Sequence, residues 1–403
     1  MLQLNEATSE PSLNAQELAR YSRHIILPGI GREGQERLKQ ARVLCIGMGG
    51  LGSPAALYLA AGGVGTLGLI DFDRVESHNL HRQILHDDDR VGHLKVDSAR
   101  DRLQAINPHL NVELFPEALS ADNIKARFDE FDIIVDGSDN FGTRYMVSDA
   151  ASLFKKPLVY GSVFQFEGQV SVFSSGPDVP CYRCLFPTPP APGTIPNCAE
   201  AGVFGALCGV IGSYQAMEAI KLITGVGEPL AGRLLVVDAL SSRITTLNLK
   251  KDPACPTCGD NPEILEINAA RYDWACDPEP AMPVMTASDL DPLDPNLGGE
   301  IDVSAAASLL KDHPEQVQLI DVREPFEIDI CSIEGSRKIP MGSIPEQVRS
   351  IPKDKRILLL CHHGGRSLQV TNYLQQRGFS LATNIHGGIH QWAEQIDPTL
   401  QKY

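Results

Sequence analysis

Four of the ten cysteines fall in two C-x-x-C pairs, Cys181-Tyr-Arg-Cys184 and Cys255-Pro-Thr-Cys258. Each pair offers two thiolates from one turn, and two pairs complete the tetrahedral all-cysteine set of a zinc site. A redox dithiol is the alternative for one pair, and the presence of a second pair argues against it. Cys361 opens Cys361-His-His-Gly-Gly-Arg366-Ser, between an apolar run and an expected helix. N–H groups of the glycine loop, together with a helix dipole, would hold a thiolate or a persulfide there. The four residues between Cys361 and Arg366 make a tighter ring than the five-residue loop that surrounds a phosphate, so this ring suits a sulfur atom. Cys198 follows five prolines between Pro187 and Pro196 and precedes an apolar helix expected from about Gly205 to Ile223. That setting lowers a thiol pKa, although a lone cysteine is more often inert and spacing alone favours that reading. Cys45 and Cys208 read as core, and Cys276 stands without a partner in the sequence.

A second set of groups points to a nucleotide. Val43 to Ala61 reads as an apolar strand, a glycine turn and a small-residue helix, with Gly47, Gly49 and Gly52 in the G-x-G-x-x-G pattern and Gly50 inside it. A turn without Cβ atoms lets phosphate approach backbone N–H groups at a helix N-terminus. A second apolar run, Leu67 to Ile70, ends at Asp71, about 20 residues beyond the turn, where an acid holds a ribose hydroxyl. This much describes an adenosine site and allows either NAD or ATP. Arg82 lies in a loop expected over Val75 to Gly92 and Lys95 opens an amphipathic helix; both are suited to clamping a triphosphate. A further strand, Phe131 to Val135, which reads as the third, delivers Asp139 to the carboxyl edge of the sheet, placed to hold Mg²⁺. Helix capping is the competing role for Ser138 or Asp139.

These sites need elements to carry them. The 403 residues suggest two or three domains, and 43% hydrophobic with 21% charged residues describes an ordinary soluble protein. No apolar run approaches a membrane span and no signal peptide is indicated, so the cytoplasm is expected. The net charge of -16 argues against nonspecific nucleic-acid binding. Gln16 to Arg42 reads as helical on either side of Pro28, and carries Arg20 and Arg23. Leu158 to Val172 reads as strands interrupted at Gly161 and Gly168. Residues 261–299, with six prolines and little periodicity, read as a linker between a first domain, 1–260, and a smaller α/β domain, 300–403. The second contains strands at Val317 to Ile320 and Ile357 to Leu360, and a helix ending near Gln376.

RYSRHIILPGIGREGQERL, GMGGLGSPAALYLAAGGVG, LIDFDRVESHNLHRQ, VGHLK, DGSDNFGTRY and the two C-x-x-C pairs resemble, in order, the MoeB/ThiF group of ubiquitin-activating-like adenylyltransferases. Residues 300–403 resemble a rhodanese domain, and the whole is similar to the MoeZ-type adenylyltransferase/sulfurtransferases. The resemblance implies a Rossmann-like ATP-binding domain with a four-cysteine zinc site, joined to the rhodanese domain. It also implies adenylation of the C-terminal Gly-Gly carboxylate of a ubiquitin-like sulfur carrier, followed by sulfur transfer to give a thiocarboxylate. By similarity Gly50 approaches the phosphates, Asp71 and Asn79 belong to the nucleotide site, Arg82 and Lys95 hold the triphosphate, and Asp139 serves Mg²⁺. Arg23 would reach into a neighbouring protomer, implying a homodimer. Cys198 would be the mobile-loop cysteine and Cys361 the persulfide cysteine, loaded by a donor such as a cysteine desulfurase or thiosulfate. The chain departs from rhodaneses at Cys331-Ser-Ile333, where G-H-I is common, and in the two histidines after Cys361. The alternatives are an NAD-dependent oxidoreductase, and an adenylating enzyme whose rhodanese domain only docks partners.

Overall fold

The computed structural model describes residues 12–174, 176–189, 202–272, 293 and 299–402. They divide into two compact units, one holding the described residues as far as Tyr272 and one holding those from Leu293 onward.

The first unit opens with α1 (Ala15–Arg20), α2 (Ser22–Ile25) and α3 (Gly31–Gln40), interrupted around Pro28 as expected. A βα alternation follows: β1 (Arg42–Ile46), α4 (Gly52–Gly62), β2 (Thr66–Ile70), α5 (Lys95–Ile106), β3 (Asn111–Phe115), α6 (Ile124–Asp129), β4 (Ile133–Asp136), α7 (Phe141–Leu153) and β5 (Leu158–Phe164). Next come β6 (Glu167–Phe173), α8 (Tyr182–Leu185), α9 (Gly205–Thr224), β7 (Arg233–Asp238) and β8 (Arg243–Asn248). The sheet order is β3-β2-β1-β4-β5-β6-β7-β8, parallel through β5 and antiparallel beyond it. Val43 and Cys45 belong to one buried cluster and Leu44 and Ile46 to the other, so β1 is apolar on both faces and reads as a continuous run. The chain order reverses between β1 and β4, and the carboxyl ends of these neighbours form the crevice where open α/β sheets bind ligands.

The structure corrects several expectations. Asn111–Phe115 is a strand at the parallel edge, so the strand ending at Asp136 is the fourth in the chain. Its exposed first residue and half-buried remainder gave it too weak an apolar signal to be seen. Gly161 and Gly168 do not interrupt strands; they lie inside β5 and β6. A Cβ at Gly161 would fall 2.5 Å from Gln215, and one at Gly168 2.4 Å from Ile211, so both glycines admit α9 against the sheet. The residue that caps α7 is Asn140, whose Oδ1 accepts from Thr143 N at 2.8 Å. The stretch expected as linker from 261 is still packed on the first unit at Ile264 and Tyr272, both buried.

The second unit contains β9 (Glu300–Ile301), α10 (Val303–Asp312), β10 (Val317–Asp321), α11 (Pro325–Ile330), β11 (Arg337–Lys338) and α12 (Ile344–Gln347). It continues with β12 (Arg356–Leu360), α13 (Gly365–Gln375), β13 (Ala382–Ile385) and α14 (Gly388–Gln395). Its sheet, β11-β10-β12-β13-β9, is parallel throughout. Leu319, Leu358 and Leu360 face one buried cluster while Ile320, Ile357 and Leu359 face another, placing core on both sides. Among the described residues no helix is long and apolar enough to cross a membrane.

Candidate active sites and metal centre

The glycine turn is set by backbone contacts. Gly47 has φ +80°, in the left-handed region, and a Cβ on Gly52 would lie 1.8 Å from Gly47 O. Met48, inside the turn, is held from two sides: its N–H donates to Asp71 Oδ2 at 2.7 Å, and its carbonyl lies 3.0 Å from His86 Nε2. A carbonyl only accepts, so Nε2 carries the proton and Nδ1 accepts from Ser98 Oγ at 2.9 Å. His86 is buried, and burial lowers its pKa, in keeping with this neutral tautomer. Sequence reading missed His86, whose only signal is its place among charged residues in the Val75–Gly92 loop. That loop contains two short 3-10 turns, at Ser77–Asn79 and Asp88–Arg90.

Asp71 caps the carboxyl end of β2, its second oxygen accepting from Asp73 N at 2.8 Å. Burial raises its pKa, opposed by the charge of Lys95. Lys95, the first residue of α5, is buried with its Nζ 2.7 Å from Asp73 Oδ2. Arg82 donates from Nη2 to the buried Asn79 Oδ1 at 2.9 Å, and its Cγ lies 3.6 Å from where a Cβ of Gly50 would be. Beyond β4, Gly137 donates to Ile46 O at 2.8 Å, joining the Asp136–Asn140 turn to the β1 end. Buried Arg144, also missed by sequence reading, donates to Ser138 O at 3.1 Å and fixes that turn from beneath; Asp139 stays exposed. The glycine turn, Asp71, Asn79, Arg82, Lys95 and Asp139 therefore share one sheet edge. Arg23 stands exposed on α2 and enters none of these contacts. Cys198 and Cys276 lie outside the described residues.

The two cysteine pairs meet as expected. Cys181 Sγ is 4.0 Å from Cys184 Sγ and 3.5 Å from Cys255 Sγ, Cys184 Sγ is 3.4 Å from Cys258 Sγ, and all four sulfurs lie within 4.8 Å of one another. Metal–sulfur bonds of about 2.3 Å in a tetrahedron separate sulfurs by about 3.8 Å, so the donor set fits a tetrahedral metal ion. The shared thiol hydrogen bonds pull within the set: those with Cys181 lower Cys184 and Cys255, while Cys181 itself is raised by those with Cys184 and Cys255. Beneath the sulfurs, Asp149 of α7 is fully buried and accepts from Arg183 Nε at 2.8 Å, Thr257 Oγ1 at 2.8 Å and Tyr272 Oη at 2.8 Å. Arg183 lies within the first C-x-x-C and Thr257 within the second, so one carboxylate fixes both loops. The only sequence signal for Asp149 is an acid between the apolar Met146-Val147 and Ala150-Ala151 of a helical segment.

In the second unit Cys361 follows β12 directly, and Gly364, with φ +105°, turns the loop into α13. Cys361 Sγ is buried and accepts from Gly364 N at 3.1 Å and Ser367 Oγ at 3.3 Å, the cradle expected for a thiolate. Arg366 forms a two-pronged ion pair with Glu327 of α11, at 2.6 Å for each oxygen. Arg323 and Asp321 are fully buried together, and Arg323 Nη2 donates to Cys331 O at 2.9 Å. The Cys331-Ser-Ile333 departure thus meets this arginine through its backbone carbonyl. His362, His363 and His390 gather beside the loop, and burial together with the neighbouring imidazoles holds His362 down to about 4.

These sites define a two-part α/β protein, a nucleotide-binding unit with a four-cysteine centre and a sulfur-cradle unit. The ThiF family model matches residues 21–257 and the rhodanese-like domain matches residues 304–395. The chain belongs to the ThiF family and carries a rhodanese-like domain. It is 44% identical, over 97% of both chains, to a probable adenylyltransferase/sulfurtransferase MoeZ of Mycobacterium tuberculosis. It is 52% identical to a sulfur carrier protein adenylyltransferase of Thermus thermophilus, over 62% of this chain and 94% of that one. A crystal structure of E. coli MccB with ATP has the same fold over 61% of this chain and 75% of its own, with TM-score 0.54 and 24% identity. With such relatives the NAD-dependent oxidoreductase falls away.

Proposed function

We propose that this chain adenylates the C-terminal Gly-Gly carboxylate of a ubiquitin-like sulfur-carrier protein and then converts it to a thiocarboxylate. The observation that carries the reading is the pairing, in one chain, of a charged nucleotide crevice at the β1/β4 switch with a cysteine cradled by Gly364 N and Ser367 Oγ. ATP is a substrate here: the carrier carboxylate attacks its α-phosphorus, pyrophosphate leaves, and an acyl-adenylate forms. Asp71 orients the ribose, while Arg82 and Lys95 offset charge developing on the phosphates, with little need for a protein base. Asp139 would hold Mg²⁺, which when bound neutralises phosphate charge. Cys181, Cys184, Cys255 and Cys258 would hold Zn²⁺, whose role is to bind the two loops together.

Cys361, loaded as a persulfide by thiosulfate or a cysteine desulfurase, attacks the activated carbonyl through its terminal sulfur and AMP leaves. The resulting acyl disulfide needs two electrons to release the thiocarboxylate; the thiol of Cys198 can supply them by forming a disulfide with Cys361, which a cellular dithiol then reduces. AMP is a far better leaving group than hydroxide, so adenylation precedes sulfur transfer. The product would feed molybdopterin or a related thiolation. The chemistry of free thiols supports a cytoplasmic setting.

Arg23 would complete the site of a second copy. Support comes from an apolar groove of about 460 Å³ lined by His24, the neighbour of Arg23, with Tyr58, Met217 and Ile220, and from Ile26 and Leu27, exposed just past the end of α2.

The test is to incubate the chain with ATP, thiosulfate and carriers ending in Gly-Gly, and to follow replacement of one carrier oxygen by sulfur by mass spectrometry. Conversion that requires ATP and disappears in Cys361→Ser supports the reading. Undiminished conversion in Cys361→Ser reduces the rhodanese unit to a docking module.

A further inference from the structure

The three histidines beside the sulfur cradle form a convergent donor set that the proposed reaction does not use. His362 and His363 stack with centroids 4.1 Å apart, and His390 lies 4.9 Å from His363 and 5.9 Å from His362. One nitrogen from each ring lies within 4.8 Å of the other two. Metal–nitrogen bonds of about 2.0–2.1 Å put nitrogens about 3.3 Å apart in a tetrahedron, so side-chain adjustments of at most about 1.5 Å close the set.

The main chain fixes this convergence. Ile389 N donates to Cys361 O at 2.9 Å and His390 N donates to His362 O at 3.1 Å, joining the start of α14 to the loop. Gly388, with φ +56°, permits the approach: a Cβ there would fall 2.4 Å from His362 O. His390 Nδ1 is buried and has no hydrogen-bond partner among the described residues, an unmet lone pair or proton that a ligand interaction would satisfy. Its Nε2 lies 3.6 Å from Glu394 Oε1, a carboxylate that can orient a ligating ring from outside.

Imidazole nitrogens select borderline transition ions over Mg²⁺ or Ca²⁺, which prefer oxygen. We propose that His362, His363 and His390 form a second cation site, separate from the four-cysteine centre, that takes a borderline divalent ion of the Zn²⁺ and Ni²⁺ class. Two of its ligands directly follow Cys361, so the ion would be carried by the sulfur loop itself.

The probe is Ni²⁺, titrated calorimetrically into the full chain purified with its four-cysteine centre metal-loaded and without chelator. Wild type is expected to show one saturable site. His363→Gln and His390→Gln should each weaken it at least tenfold, about 1.4 kcal/mol. His363 is exposed, so His363→Gln disturbs little beyond its stack on His362, and thermal unfolding checks both variants. Absence of a saturable site in wild type overturns the proposal, as does a site retained in both variants. This result is independent of whether the chain adenylates a carrier.

Discussion

Arg183 and Asp149 form a buried two-pronged ion pair, with Nε 2.8 Å from Oδ1 and Nη2 2.8 Å from Oδ2. Thr257 and Tyr272 complete the same carboxylate, so each half of the cysteine centre is tied to α7 independently of any metal. Removing the carboxylate strands a guanidinium in the interior. Asp149→Ala is expected to destabilise the first unit by about 3–5 kcal/mol and to accelerate metal loss to chelator. Urea unfolding and metal content measure both; an unchanged midpoint with full metal retention contradicts the role.

Metal removal should act unequally on the two units. A strong chelator is expected to lower the unfolding temperature of the nucleotide-binding unit, since the Cys181–Cys184 and Cys255–Cys258 loops then lose their shared metal and rely on the Asp149 tie and a few hydrogen bonds such as Tyr182 N to Ser148 Oγ. Thiosulfate:cyanide sulfur transfer, which needs only the second unit, should persist. Equal loss of both signals would contradict the assignment.

His86 gives the nucleotide site a pH dependence. Its folded pKa lies below the unfolded value of about 6.5 because burial outweighs the hydrogen bond to Met48 O; Lys95 also lowers it and Asp87 raises it. Below the unfolded value the unfolded chain binds the extra proton, so this contribution is present above about 6.5 and is lost as pH falls toward the folded pKa. Stability of the first unit, read by urea unfolding, is expected to fall over that window, and His86→Gln should flatten this part of the profile. An identical profile in His86→Gln would remove His86 from the account.

Lys95 should act on chemistry more than on folding. Lys95→Ala is expected to lower carrier-dependent ATP–pyrophosphate exchange by about a hundredfold to a thousandfold, because its partner Asp73 is half exposed and tolerates losing the ion pair. Comparison of the exchange rate with the unfolding midpoint decides this. A collapse of stability with a normal residual rate would make Lys95 structural.

What the sequence displayed was chemistry concentrated in short motifs. Gly47 to Gly52, Asp71, the cysteine pairs and the Cys361 loop could be placed because each lies at a strand end or a turn, where residue type reports backbone geometry directly. Both faces of β1 and β12 are buried, so their apolar runs were plain. The edge strand β3 was not, because its side chains are only half covered. Gly161 and Gly168 misled for a different reason: their need arises from α9 packing over them, a contact remote in sequence. His86, Arg144, Asp149 and His390 act through partners that only the tertiary fold supplies. A sequence can show such residues as polar and no more.

The most direct test is ATP–pyrophosphate exchange with a panel of Gly-Gly-ending carriers, comparing wild type with Asp139→Ala. The account expects exchange that requires one carrier and is lost in the variant, whose exposed side chain contributes little to folding. Exchange at the wild-type rate in Asp139→Ala, or no exchange with any carrier, would contradict adenylation at the β1/β4 crevice.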